Sequence, residues 1–267
     1  MRFLTLLFLS VTTFSFTQGY VPSGARSMSM GNASTTFNDV WAYHNNPGAL
    51  ADVNKFSVGL SYENRFLLKE LQSQGVAIAI PLKVGVLSFG GNFYGYSLFR
   101  STKVGMGYSM KLSEKFFAGV QLNYQNINIQ NYGSKNAVTG EVGIYAKITE
   151  KWLLGISVFN LGRAKLSDYQ DDRFSTVFRL GSSYKFSEKL LLSGEFEKDL
   201  DSPLRFKAGL EYEIVDQFFV RGGFLSSPTE VTFGFGYNLK HIRLNIGSAY
   251  ERVVGWSPHF SISFVGK

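Results

Sequence analysis

The run Phe116-Phe117-Ala118-Gly119-Val120-Gln121-Leu122-Asn123-Tyr124-Gln125 decides the fold. Phe116, Ala118, Val120, Leu122 and Tyr124 are apolar, and four of the five residues that alternate with them are glycine or amides. A period of two makes a strand with one face suited to hydrocarbon and the other to a wet interior. At a rise of ~3.3 Å per residue and a steep tilt, about nine to eleven such residues cross the ~25 Å apolar band of an outer membrane.

The same period recurs from Lys55 to the C-terminus, in about fourteen segments near 55–63, 73–81, 84–95, 100–112, 115–127, 137–149, 151–160, 173–186, 189–198, 203–214, 217–225, 230–239, 242–251 and 257–265. An even count is what a single-chain bacterial barrel requires, so the expected fold is all-β, a 14-stranded antiparallel transmembrane β-barrel over residues 55–267. Short turns fall at 81–83, 112–115, 149–151, 187–189, 215–217 and 240–241, three of them reading Ser/Thr-Glu-Lys. Longer connections are expected at 64–72, 125–136 and 161–172, the last carrying Asp168, Asp171 and Asp172. Long loops outside and short turns inside place both ends of the mature chain in the periplasm of a bacterial outer membrane.

Composition closes off other classes. No stretch holds the ~20 continuous apolar residues of a spanning helix. The net charge is +7, but Lys and Arg are scattered among Glu rather than gathered on one face, so nucleic acid is not an expected partner. Cysteine is absent, and the three histidines, His44, His241 and His259, are isolated, so neither a metal site nor a cofactor is expected. His259 beside Ser257 or Ser261 is the best available nucleophile–base pair, and it reads more naturally as a rim residue in contact with water or headgroups. No catalytic residues are assigned.

Ahead of the strands, Met1-Arg2 and the apolar run to Phe16 read as a secretory signal over 1–17. The segment 18–54 does not alternate. Its part Gly24–Leu50, GARSMSMGNASTTFNDVWAYHNNPGAL, is rich in Ser, Asn and Gly, and such irregular polar chain is tolerated at membrane depth only inside protein or a wet cavity. It is expected to plug the lumen.

Gly24-Ala25-Arg26, Met30-Gly31, Asp39 and Asn46-Pro47 before Leu50 resemble the N-terminal hatch of FadL-like outer-membrane proteins, a superfamily of hydrophobic-compound transporters and of PorV/PorQ-type proteins of type IX secretion. The close match covers about a tenth of the chain. Asn32 stands where a second glycine is usual, and Gly48-Ala49 reverses the common order. The resemblance marks Arg26, Asp39, Asn45, Asn46, Pro47 and Gly48 as hatch residues. It also implies a sideways opening at a kink in the third strand, where Gly90-Gly91 interrupts the ladder residues; a plain barrel bend is the alternative. Phe89, Phe93, Tyr94 and Tyr96 then line a greasy path or join an aromatic girdle.

Phase alone turns most strand charges inward, among them Glu141, Lys147, Arg179, Lys185, Glu213, Arg243 and Glu251. Equal spacing about Leu200-Asp201 sets Glu197 opposite Arg205 and Glu195 opposite Lys207, and the next turn sets Glu211 opposite Arg221. Acids and bases nearly balance, which favours a self-satisfied network packed on Arg26 and Asp39 over a selectivity ring. Inward positions also hold many glycines, Gly59, Gly75, Gly119, Gly143, Gly155, Gly181, Gly209, Gly223, Gly234 and Gly236, which leave room for a plug.

Two functions follow. The first is a non-enzymatic PorV/PorQ-like adaptor in type IX secretion, whose partners are secretion machinery or exported cargo. The alternative is passive transport of small hydrophobic compounds through a plugged barrel with a lateral opening. Either way the outer surface meets outer-membrane lipid.

Overall fold

Backbone pairing at period two closes on itself in this chain. The computed structural model describes residues 20–166 and 173–267; the expected signal and the acids Asp168, Asp171 and Asp172 lie outside the described residues. Fourteen strands form one closed antiparallel barrel in chain order. They are β1 (Ser57–Asn64), β2 (Gln72–Pro81), β3 (Val86–Gly95), β4 (Phe99–Lys111), β5 (Phe116–Ile129), β6 (Gly133–Lys147), β7 (Trp152–Phe159), β8 (Val177–Lys185), β9 (Leu190–Asp199), β10 (Arg205–Val215), β11 (Phe218–Ser226), β12 (Thr229–Asn238), β13 (Ile242–Glu251) and β14 (Gly255–Val265). β1 meets β14 from Ser57↔Val265 to Glu63↔His259, so no edge is left open.

The strand that announced the fold behaves as its pattern requires. Val120, Leu122 and Tyr124 are exposed on the outside, while Gln121, Asn123 and Gln125 are buried inside. The three Ser/Thr-Glu-Lys turns share one device: Ser113, Thr149 and Ser187 hydroxyls accept from the backbone N–H of Lys115, Lys151 and Lys189. A hydroxyl that holds the chain two residues on fixes a tight reversal without glycine.

Two expected boundaries change. Residues 125–129 and 133–136 are ladder around a turn at 130–132: Ile127 pairs with Lys135 and Ile129 with Gly133. Asn126 Nδ2 donates across this hairpin to Ser134 Oγ (2.7 Å) and Asn136 Oδ1 (2.6 Å), so polar residues prolong the pairing past the apolar band. Conversely β8 starts at Val177 rather than 173, because the Asn160 side chain donates to Phe174 O (2.8 Å) and accepts from Ala164 N (2.9 Å). A side chain that takes ladder groups ends the ladder.

Residues 20–54 make two short helices, α1 (Ala25–Ser29) and α2 (Ala42–Asn45), and a 3-10 stretch, Pro47–Asp52. They bond to inward side chains of strands on several sides, Ser261 on β14, Thr232 on β12, Glu211 on β10, Glu195 on β9 and Ser109 on β4, and to the backbone carbonyl of Val76 on β2. Val40, Trp41, Tyr43, Ala49 and Leu50 pack on Ala77, Ala79, Val86, Phe117 and Tyr145 of the wall to form the apolar core.

Inward glycines make this approach possible. A Cβ on Gly143 would stand 2.0 Å from Asn46 Oδ1 and 2.7 Å from Gly48 N. Gly140, on the opposite face of the same strand, has nothing within 4 Å. Gly143→Leu is therefore expected to lower unfolding stability by about 1–3 kcal/mol through overpacking, whereas Gly140→Leu changes it by less than about 0.5 kcal/mol. Denaturant titration of the detergent-solubilised barrel checks both.

Candidate functional site

The lumen is organised by two charge clusters that the N-terminal segment completes. Pairing places Arg205 opposite Glu197, Lys207 opposite Glu195 and Glu211 opposite Arg221. None of these forms a closed pair. Glu195 receives Arg179 on both oxygens (2.7 and 2.9 Å) and Lys207 at 3.1 Å, and its Oε2 also accepts the backbone N–H groups of Ser34 (2.9 Å) and Thr35 (3.0 Å). Arg179 in turn donates to Asn45 O (2.6 Å) and Asn32 O (3.1 Å). Glu211 is held by Arg221 Nε (2.6 Å) on one side and by the Arg26 fork (2.7 and 2.9 Å) on the other. Arg26 also reaches Asp39 at 3.2 Å and lies 4.3 Å from the Phe37 ring centroid.

Of the remaining residues marked by the hatch resemblance, Asn46 and Pro47 make bonds that involve backbone groups and Asn45 one between side chains. Asn46 Nδ2 donates to Thr35 O (2.7 Å) and Ile144 O (3.0 Å), and its Oδ1 accepts Gly48 N (3.0 Å). Pro47 O accepts Ser109 Oγ at 2.6 Å. Asn45 Nδ2 donates to Ser27 Oγ at 2.9 Å.

Around Gly90-Gly91 the ladder runs without a register shift, Gly90 pairing with Ala77 and Gly105, and Gly91 with Val76 and Val104. The wall is paired on both sides there, without a bulge. Gly90 faces inward under Tyr43, whose ring would lie 2.6 Å from a Cβ and whose hydroxyl donates to Gly90 O at 3.0 Å. The missing side chain makes room for a ring rather than for a gap in pairing. Phe93 points outward, while Tyr94 and Tyr96 face a cavity.

Sequence reasoning missed Lys103, which is 3% exposed and pairs with Glu141 at 3.3 Å. Its signal was phase: it lies two residues from Gly105 on the inward face of β4. It also missed Arg65, assigned to an outer loop. That loop folds back over the mouth, with Phe66 N donating to Ser257 Oγ (3.1 Å) and Arg65 reaching Glu230 (3.2 Å) and Glu63 (3.7 Å).

His259 is not a rim residue. His259 is 2% exposed and its Nε2 lies 3.0 Å from Ser29 Oγ, because α1 packs directly beneath it. Ser261 Oγ is occupied by Ala25 N. His44 bonds Val76 O through Nε2 (3.1 Å); burial, then the positive charge of Lys103, pushes its pKa down to about 3, so it is neutral.

Two cavities remain. One, of about 470 Å³, opens at the long-loop end, where Phe66, Leu71, Tyr94, Phe99, Ile127 and Leu225 supply an apolar wall. The other, of about 340 Å³, opens at the short-turn end and is polar, lined by Asp39, Asp52, Lys147 and Arg243. Lys147 reaches Asp52 at 2.6 Å. The Trp41–Tyr43 layer and the two charge clusters lie between them.

No protein-family model and no curated protein sequence matches the chain. Solved structures do. The chain superposes on the CymD monoaromatic hydrocarbon channel with a TM-score of 0.71 at 13% identity, covering 94% of this chain and 98% of that one. The toluene transporter TbuX of Ralstonia pickettii gives 0.67 at 14%, covering 93% and 100%. A FadL homologue of Pseudomonas aeruginosa gives 0.62 at 12%, covering 94% and 97%. At these identities the likeness establishes the fold, a closed all-β barrel of fourteen antiparallel strands.

Removing one partner from a buried ion cluster strands the rest. Glu195→Gln is expected to cost about 3–5 kcal/mol of unfolding stability, and replacing Arg179 and Glu195 together by Met recovers part of that loss. Equilibrium unfolding of the three proteins in one detergent decides it.

Proposed function

We propose that the protein is a non-enzymatic, FadL-type channel of a bacterial outer membrane through which small hydrophobic compounds pass passively. In this reading residues 18–54 are the hatch. The observation that carries it is the division of one lumen into two cavities, an outer one with an apolar wall and an inner polar one, by a segment that nothing covalent ties in place. The neighbours described as a hydrocarbon channel and a toluene transporter support transport better than the type IX secretion adaptor of PorV/PorQ type.

Membrane insertion is supported by the outer surface. Exposed Tyr62, Tyr124, Tyr250 and Trp256 lie toward the long-loop end, and Tyr108, Trp152, Tyr184 and Tyr237 toward the short-turn end. Between them the exposed residues are aliphatic or Phe, such as Leu60, Leu122, Ile156, Leu180 and Phe233. Two aromatic belts about an apolar band are the mark of a barrel in lipid. The long-loop end then faces outward and the C-terminus lies on the periplasmic side.

Passage requires the hatch to yield. The ion clusters hold Arg26 and residues 32–35, so the Asn46-Pro47 region and the Tyr43 ring against Gly90 are the parts proposed to shift, the latter uncovering a lateral exit at Gly90-Gly91. A disulfide from Asn46→Cys to Gly143→Cys, where a Cβ on the glycine would meet the Asn46 side chain, pins the Asn46-Pro47 region to β6 in a chain with no other cysteine. Uptake of labelled toluene by intact cells is expected to fall several-fold on oxidation and to return with reductant. Equal uptake with and without the bond would exclude a moving hatch, and no protein-dependent uptake at all would exclude the channel.

A further inference from the structure

The outer cavity holds a carboxylate that no hydrogen bond or close ion pair among the described residues completes. Its basic side chains are each ion-paired, Arg205 and Lys207 with Glu197 and Arg65 with Glu230 and Glu63, although the Nε of Arg65 and of Arg205 makes no hydrogen bond. Glu251 is not ion-paired among the described residues. It is 6% exposed, lines the cavity, and its Oε2 has no hydrogen-bond partner. Directly across the ladder stands Glu230, another carboxylate, an opposition that antiparallel pairs ordinarily avoid. Asn32 Oδ1, a second acceptor on the same cavity, is also unpartnered. Buried acceptors left open beside like charge destabilise the barrel unless a donor arrives.

We propose that the outer cavity selects amphipathic cations, compounds with an aromatic or aliphatic body and one ammonium or amine head. The proposal rests on the channel reading and names the substrate class of the same site. The head donates to Glu251 Oε2, with Glu230 and Glu63 close by, and the body lies on Tyr94, Phe66 and Leu71. An anionic head meets the unpaired Glu251 instead and is repelled. A neutral hydrocarbon gains the apolar wall alone.

The test uses purified full-length protein in non-ionic detergent and three probes on one skeleton: 3-phenylpropylammonium, propylbenzene and 3-phenylpropanoate. Calorimetric titration, corrected with empty micelles, is expected to show the ammonium binding at least about tenfold more tightly than the carboxylate. Glu251→Gln is expected to bring those two within about twofold of each other and to leave propylbenzene within about twofold of its wild-type affinity. Heat-dependent gel mobility confirms that the variant is a closed barrel; if it is not, Glu230→Gln and the wild-type ranking decide. Carboxylate binding as tight as ammonium binding, or an ammonium preference that survives Glu251→Gln, overturns the proposal. A preference that holds while none of the three probes enters intact cells overturns the channel and leaves the selectivity standing.

Discussion

An irregular stretch of chain shut inside a barrel has to find partners for its own peptide groups, because it has neither a ladder nor free access to water. That constraint accounts for the inner wall of this protein. Ser261 takes the Ala25 N–H, Thr232 takes that of Gly31, and Glu195 takes those of Ser34 and Thr35. Carbonyls are met from the same wall, Asn45 O by Arg179 and Pro47 O by Ser109. Where the backbones press too close for a side chain, as at Gly143, the wall has glycine.

The charged residues belong to the same solution. Two cross-strand pairs are completed from the N-terminal segment, Glu211–Arg221 by Arg26 and Glu195–Lys207 by the Ser34 and Thr35 N–H groups. A carboxylate shared between wall and segment ties the two more firmly than separate pairs would, since loss of either partner leaves a buried charge. Arg26 and residues 32–35 are thus the anchored part of the segment, and the anchors sit on β8 to β11.

The two mouths differ in kind. At the short-turn end Asp52 and Lys147 answer each other across a polar cavity. At the long-loop end the apolar wall of Tyr94, Phe99 and Ile127 stands beside Glu251, whose Oε2 has no hydrogen-bond partner among the described residues. This asymmetry gives the lumen two chemically different ends, one polar and one with an apolar wall.

The sequence alone carried the strand count, the alternation and the registers of Glu195, Glu197 and Glu211, because a period of two and a tight turn are local properties. It also marked Arg26, Asp39 and Asn46 as a set. It did not reveal what lies against what through the lumen. That Glu195 holds Ser34 and Thr35, that Tyr43 fills the space above Gly90, that His259 is sealed by α1 and that Arg65 turns back over Glu230 depend on closure. Closure brings together residues up to 236 positions apart, as in the Ala25–Ser261 bond, and no local pattern encodes a contact across an enclosed space. Turn chemistry and periodicity therefore decided the wall, and only the closed barrel decided what it holds.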